Sequence, residues 1–272
     1  MARRRGRGRR RAQQRRAAYL NIFLVTAAIG IVGFLFWSLQ PAPYDERTLC
    51  EISDELPPHT AIIIDKTDEY SQIQADLISD VVRRTRDRLE VGERMTLFEL
   101  DADGRFDPRG QLSLCNPGRG DQVNPLFSNP KLIEERYAAL FEGPMETILS
   151  DLVEPKEAPA SPILEALARL GQTEAFSSDV DGRTVVLVSD MLQNSTVFTA
   201  YGGAGALPET ILPAFDTADV IDERFGDGLR GVYLEIRLIP RERHLDLQRG
   251  PLKAYWDDVF RELGVETRWR DL

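Results

Sequence analysis

The stretch AIIIDKT, residues 61–67, decides the fold that this sequence predicts. Its apolar run leads directly into an aspartate, Asp65, and the same pattern recurs in VVLVSD, residues 185–190, which ends at Asp190. Short β-branched runs of this kind are typical of buried strands in a parallel sheet. In open α/β sheets, ligands bind beyond the carboxyl ends of the strands. The two aspartates are therefore predicted to share one site at that end of the sheet.

An alternation of strands and helices extends outward from these two runs. The predicted strands are residues 62–65, 95–100, 111–115, 184–190, 231–239 and 265–269. The predicted helices are residues 73–89, 130–152 with a break near Gly143, 162–170, one near 208–215, and 251–263. This alternation favours an α/β fold, a three-layer sandwich with a mainly parallel central sheet.

The N-terminal residues predict a membrane anchor. Residues 1–16 hold nine arginines and no acid, and residues 17–39 hold no charged side chain. A transmembrane helix needs roughly 20 residues, so residues 17–39 are long enough to span a bilayer. A cleaved signal peptide is the alternative, but no small-x-small cleavage motif follows the apolar stretch. Because arginine precedes the span, the predicted order is a cytoplasmic tail (1–16), a transmembrane helix (17–39), a linker (40–57) and an exported domain (58–272).

The distribution of charge along the chain limits the kinds of molecule that it is expected to bind. The tail is expected to contact anionic lipid headgroups, as basic residues beside a span commonly do. From residue 41 onward there are 25 basic and 44 acidic residues, a net charge of −19. Such a domain repels phosphate backbones, so we expect no nucleic-acid binding by the exported part. We expect a single-pass protein of a bacterial inner membrane, with its C-terminal domain in the periplasm or outside the cell.

The two cysteines, Cys50 and Cys115, both lie in the exported part. An oxidising compartment allows them to form a disulfide, and closing so long a loop contributes roughly 4 kcal/mol in the chain-entropy model. A zinc site is poorly supported, because only His59 and His244 are available and neither has a partner at ligand spacing.

Oxygen-bearing side chains gather at the predicted site. Thr67 follows Asp65 by two residues, Asp190 adds a carboxylate from the second strand, and Ser161 precedes a predicted helix. Mg²⁺ and Ca²⁺ prefer several oxygen ligands, so these residues are candidate ligands. Ser161 has an equally supported structural interpretation as the N-cap of the helix that begins at Pro162.

This pattern resembles the von Willebrand factor type A domain over roughly residues 57–269. That family builds a metal-ion-dependent adhesion site from three loops. Asp65 and Thr67 match the first positions of its Asp-x-Ser-x-Ser signature, whereas Glu69 stands where the second serine belongs. Ser161 takes the place of the threonine in the second loop, and Asp190 that of the aspartate in the third.

The resemblance implies a non-catalytic module that binds a protein partner, as a component of an adhesive or envelope-associated complex. Mg²⁺ or Ca²⁺ would then be held by Asp65, Thr67, Glu69, Ser161 and Asp190 and completed by a partner's acidic side chain. Glu69 favours the alternative of a metal-free scaffold. A phosphatase-like hydrolase with Asp65 as nucleophile is less favoured, because Thr67 occupies the position where that chemistry needs a second aspartate as general acid and base.

Overall fold

The computed structural model describes residues 5–38, 43–67, 69–100, 107, 110–122, 129–152, 160–202 and 205–272. The chain divides into two compact units, Met1–Pro43 and Tyr44–Leu272.

The first unit contains one helix, α1, Arg5–Ser38. Within the described residues, no helix combines the length and the apolar character needed to cross a membrane. Residues 1–4 and 39–42, and the side chains of residues 5–18, 36 and 38, lie outside the described part. The side chains of the predicted tail, both ends of the predicted 17–39 span and the first residues of the predicted linker therefore lie outside the described part.

The second unit is built on one six-stranded sheet in the order β3-β2-β1-β4-β5-β6. The strands are β1 His59–Asp65, β2 Arg94–Leu100, β3 Leu112–Cys115, β4 Arg183–Ser189, β5 Tyr233–Leu238 and β6 Glu266–Asp271. Strand β3 is antiparallel to β2, and every other pairing is parallel. The prediction of an α/β fold with a mainly parallel sheet is confirmed.

Seven α-helices of the second unit are described. They are α2 Gln72–Arg86, α3 Pro130–Tyr137, α4 Gly143–Leu152, α5 Ile163–Gly171, α6 Ala214–Phe225, α7 Leu245–Arg249 and α8 Pro251–Glu262. The predicted break near Gly143 is a π-helical turn, Ala138–Glu142, between α3 and α4.

The helix predicted near residues 208–215 is wrong. The helix of this region, α6, begins at Ala214, directly after Pro213. A proline inside a helix removes a backbone hydrogen bond and clashes with the preceding turn, so Pro213 can stand before the helix but not within it. Helix α7 was not predicted, because five residues carry too little periodicity.

Both faces of the central strands β1 and β4 are buried under helices, which gives three layers. Ala61 and Ile63 of β1 point into a core formed with α5, α6, α7 and α8. Ile62 and Ile64 point into the opposite core, formed with α2, α3 and α4. A strand buried on both faces is apolar at every position, which is why β1 reads as a continuous hydrophobic run.

A disulfide joins the start of the second unit to the sheet. Cys50 and Cys115, the pair predicted from the sequence, are bonded and stand 65 positions apart in the chain. Beside the bond, the backbone N–H of Cys115 donates to the carbonyl oxygen of Thr48 over 2.8 Å. The segment at residues 48–50 therefore lies against β3.

Candidate functional site

The strand order reverses between β1 and β4, and doubly wound sheets bind ligands in the crevice at such a reversal. Strand β1 ends at Asp65 and strand β4 at Ser189. Ser161 reaches the same point because the segment before α5 pairs with the loop after β4. In that short bridge, Ser161 and Asn194 exchange two backbone hydrogen bonds of 2.9 and 3.0 Å. Three segments distant in sequence thus meet at one place.

The centre of the site is the Asp65 cluster, formed by Asp65, Thr67, Ser161 and Ser189. Asp65 Oδ1 accepts hydrogen bonds from Thr67 Oγ1 over 2.7 Å and from Thr67 N over 3.1 Å. Asp65 Oδ2 accepts from Ser189 Oγ over 2.7 Å and from Ser161 Oγ over 3.3 Å. Each carboxylate oxygen therefore has two donors from the chain itself.

Burial and hydrogen bonding act on Asp65 in opposite directions. The residue is only 3% exposed, and this burial raises the pKa of its carboxyl group. The hydrogen bonds from Thr67, Ser189 and Ser161 lower the pKa and so oppose the shift. The cluster is thus a buried acid surrounded by hydroxyl groups.

Asp190 lies beside this cluster but makes a different set of contacts. Its Oδ1 accepts from Leu192 N over 2.9 Å, and its Oδ2 accepts from Arg241 Nε over 2.8 Å. Arg241, in the loop after β5, also donates through Nη1 to the backbone oxygen of Glu69 over 2.6 Å. One guanidinium group therefore ties together the loops that follow β1, β4 and β5.

A buried glutamine of α7 supports this ion pair. Gln248 Nε2 donates to the backbone oxygens of Asp190 and Ile239 over 2.8 and 3.0 Å. Its Oε1 accepts from Arg241 N over 2.8 Å. Gln248 thus fixes the backbone on both sides of the pair, which positions Arg241 and Asp190 before any partner arrives.

The N-cap interpretation of Ser161 is wrong. The residue at the N-cap position of α5 is Pro162, and no side chain caps that end from there. Gln193, from the loop after β4, instead accepts a hydrogen bond from Leu164 N over 3.0 Å. Its amide nitrogen donates to Glu165 over 2.7 Å and to Ser195 over 2.8 Å. Ser161 is therefore free of a capping role and donates to Asp65.

Sequence reasoning missed two residues of the site, Ser189 and Arg241. Ser189 stands one position before the predicted ligand Asp190, and its hydroxyl contacts Asp65. Arg241 could have been identified from its position just beyond β5, the next strand of the parallel sheet.

The predicted metal ligands divide into two groups. Asp65, Thr67 and Ser161 lie together, whereas Glu69 has an exposed side chain and offers its backbone oxygen to Arg241. Asp190 is paired with the same arginine. In the part of the chain that is described, no three His, Cys, Asp or Glu side chains are placed to hold a metal ion. Hard cations need several oxygen ligands, and a guanidinium beside the site repels them, so this donor set fits Mg²⁺ or Ca²⁺ poorly. The five-residue metal site stays a prediction.

An open cavity of about 650 Å³ adjoins the ion pair. Its lining includes Glu69, Tyr201, Arg241, Arg243 and His244. The rings of Tyr201 and His244 meet edge to face, with centroids 5.6 Å apart. The lining thus combines charged groups of both signs with an aromatic wall, which suits a polar peptide segment.

No family model and no curated protein matches the chain. The solved structures that are similar to it include the following three. BatB from Bacteroides thetaiotaomicron, a conserved hypothetical protein, is 14% identical over 79% of this chain and 90% of that chain, with a TM-score of 0.38. An aerotolerance-related membrane protein from Bacteroides fragilis is 14% identical over 78% of this chain and 90% of that chain, with a TM-score of 0.36. The pilus adhesin SpaC from Lactobacillus rhamnosus GG is 9% identical over 81% of this chain and 29% of that chain, with a TM-score of 0.40. The similarity is distant, with identities of 14% or less and TM-scores of 0.40 or less.

Proposed function

We propose that the Tyr44–Leu272 unit is a type A-like protein-interaction module that binds a protein partner at the crevice between β1 and β4. The observation that carries the proposal is the position of the Asp65 cluster and the Asp190–Arg241 pair at the reversal of strand order. Ligands bind α/β sheets at this point. The adjoining cavity provides the surface for a partner segment.

The contacts favour a metal-free form of this module. Arg241 supplies beside Asp190 the positive charge that a divalent cation would otherwise bring. Arg243 is exposed on the same cavity, and arginine binds carboxylates through paired N–H groups. A partner's Asp or Glu would therefore meet guanidinium groups directly.

Site-specific photo-crosslinking tests the location of the partner surface. A photoreactive amino acid is placed at Tyr201 or Arg243, and a control is placed at Asp181, an exposed turn residue before β4 at the opposite end of the sheet. A discrete adduct from the first two positions and none from the control supports the proposal. The same adducts from all three positions would count against it.

The metal-bridged form is tested by calorimetric titration of the chain with Mg²⁺, Ca²⁺ and Mn²⁺. The metal-free module predicts no saturable heat. Saturable heat that disappears in Asp190→Ala would instead establish the bridged form with Asp65, Thr67, Ser161 and Asp190 as ligands.

We further propose that residues 17–39 anchor the chain in a membrane, with the arginine-rich tail in the cytoplasm among anionic lipids and the second unit exported. The absence of charge in that stretch and the nine arginines before it support this orientation. The bonded pair Cys50–Cys115 supports export, because disulfides persist in oxidising compartments. Protease added to spheroplasts should digest a C-terminal epitope, and protection of that epitope would refute the orientation.

A hydrolase that uses Asp65 remains the weaker alternative. Its carboxylate is buried and both oxygens accept hydrogen bonds, whereas a nucleophile must reach its substrate. Turnover of a generic phosphate ester that vanishes in Asp65→Asn would support the hydrolase, and we expect none.

A further inference from the structure

A second charged surface lies on the sheet, away from the crevice. Strands β5 and β6 are parallel, and their register places Glu235 opposite Arg268 and Arg237 opposite Arg270. The alternate residue Trp269 faces the other way, toward α8, where its Nε1 donates to Asp257 over 2.6 Å. Arg237, Arg268 and Arg270 therefore share one face of the sheet, which we call the arginine face.

The path of the chain explains why this face is charged. The connections after β4 and β5 run through α6, α7 and α8, and the buried apolar side chains of these helices all belong to the opposite core. The core under α2 reaches β4 at Val186 and Val188. On the next strand, the positions on that side are Glu235 and Arg237. Arg268, one strand further out, is exposed.

Among the described residues, the three arginines of this face are only partly compensated by acidic side chains. Like charges directly opposite each other destabilise a sheet, and Arg237 stands opposite Arg270. Arg237 has one ion-pair partner in the described structure, Glu235. Burial lowers the pKa of Arg237, Glu235 raises it, and the positive charges of Arg270 and Arg88 lower it, so three arginines lie within electrostatic range of one another.

Two hydrogen-bond donors on this face lack acceptors. The Nε atoms of Arg237 and Arg270 are buried and have no hydrogen-bond partner among the described residues. Most buried side-chain donors in proteins are paired, and those that are not call for an explanation. The exposed Arg268 offers its N–H donors to a ligand with carboxylate oxygens, and the negative charge of that ligand would relieve the repulsion between the opposed arginines.

We propose that the arginine face docks an acidic segment of a protein partner. Local charge complementarity selects this occupant, because three arginines share the face with Glu235, although the domain as a whole is acidic. Guanidinium groups recognise carboxylates through paired N–H donors. A basic partner would be attracted to the rest of the domain and repelled from this face.

Binding of a probe peptide tests the proposal. The full chain, with glutamine in place of its nine N-terminal arginines so that the tail cannot bind a polyanion, serves as the wild type for the second unit. It is titrated in zwitterionic detergent against fluorescein-labelled poly-glutamate, with poly-glutamine of equal length as the control ligand, and anisotropy is measured. In the same background, the test variant is Arg268→Gln/Arg270→Gln. The matched control is Arg47→Gln/Arg224→Gln, which removes the same charge from two exposed arginines elsewhere in the second unit.

We expect the test variant to bind poly-glutamate about tenfold more weakly than the control, a difference of about 1.4 kcal/mol, with a Tm no lower than that of the control. Equal weakening in the two variants, or no binding by the wild type beyond that of poly-glutamine, overturns the proposal. If the test variant loses stability, Arg270→Lys gives the second measurement, because it keeps the charge and removes the planar fork. Unchanged affinity in Arg270→Lys then overturns the proposal as well.

Discussion

The Asp190–Arg241 ion pair allows the sharpest test of the site. Asp190 is 3% exposed and the Arg241 side chain is 21% exposed. Removing one partner of a buried ion pair leaves an uncompensated charge and costs about 3–5 kcal/mol. Water reaches the arginine side of this pair, so we expect Arg241→Gln to cost about 3 kcal/mol, the lower end of that range. Asp190→Asn leaves the better-hydrated partner unpaired and should cost less.

The assay is a double-mutant cycle by urea unfolding. The double variant Asp190→Asn/Arg241→Gln should lose less free energy of unfolding than the sum of the single variants, with a coupling of about 1 kcal/mol or more. The control is Arg243→Gln, an exposed neighbour that forms no ion pair among the described residues. A surface change of this kind should alter stability by no more than about 0.5 kcal/mol. Additive losses in the cycle would refute the coupling.

Repeating the cycle with Mg²⁺ links stability to the metal question. A ligand that binds only the folded state stabilises it according to its concentration and dissociation constant. If Arg241 supplies the positive charge of the site, Mg²⁺ should not stabilise the wild type but should stabilise Arg241→Gln, where Asp190 has lost its cation. Stabilisation of the wild type by Mg²⁺ that is lost in Asp190→Asn would refute the metal-free site.

Three further predictions concern stability. Burial lowers the pKa of His59 from 6.5 to about 4. The stability that depends on the neutral ring is therefore complete above pH 6.5, and about 3 kcal/mol of it is lost as the pH falls to 4. Urea midpoints at pH 7 and pH 4 should show this loss in the wild type and not in His59→Asn. Replacing Cys50 and Cys115 by serine should lower the free energy of unfolding by about 4 kcal/mol, and a reductant should then have no further effect. Asp65→Ala should cost about 1–3 kcal/mol by orphaning the donors that face the carboxylate, and Asp65→Asn, which keeps one acceptor, should cost less by the same measurement.

The sheet could be predicted from the sequence because its central strands are buried on both faces. The apolar runs that end at Asp65 and at Ser189 are what two-sided burial produces, and the rule for α/β sheets then places their ends together. Prediction failed near residues 208–215 because Pro213 lies inside that range and its backbone excludes a helix interior.

Inside the site, the chemistry of each residue was harder to predict than its position. Asp190 was placed correctly beyond β4, but its partner Arg241 lies 51 residues further along the chain, and no local spacing connects the two. Ser161 was predicted to cap α5, but Gln193 accepts the hydrogen bond from Leu164 N instead. That contact spans 29 residues, so local spacing could not predict it. Side-chain pairing across loops depends on tertiary packing, which a single sequence does not encode as a pattern.

An arginine in place of a divalent cation changes how such a site works. A bound ion dissociates, so a metal-bridged site depends on the ion's concentration and holds a coordination position for the partner. The guanidinium of Arg241 cannot leave, because it is held by Asp190 and by the backbone oxygen of Glu69, and Gln248 fixes the backbone N–H of the same arginine. Three loops are therefore fixed before binding, and pre-organisation lowers the entropy lost when a partner docks. In the proposed metal-free form, specificity would arise from the shape and charge of the cavity beside Arg241 rather than from completion of a metal's coordination shell.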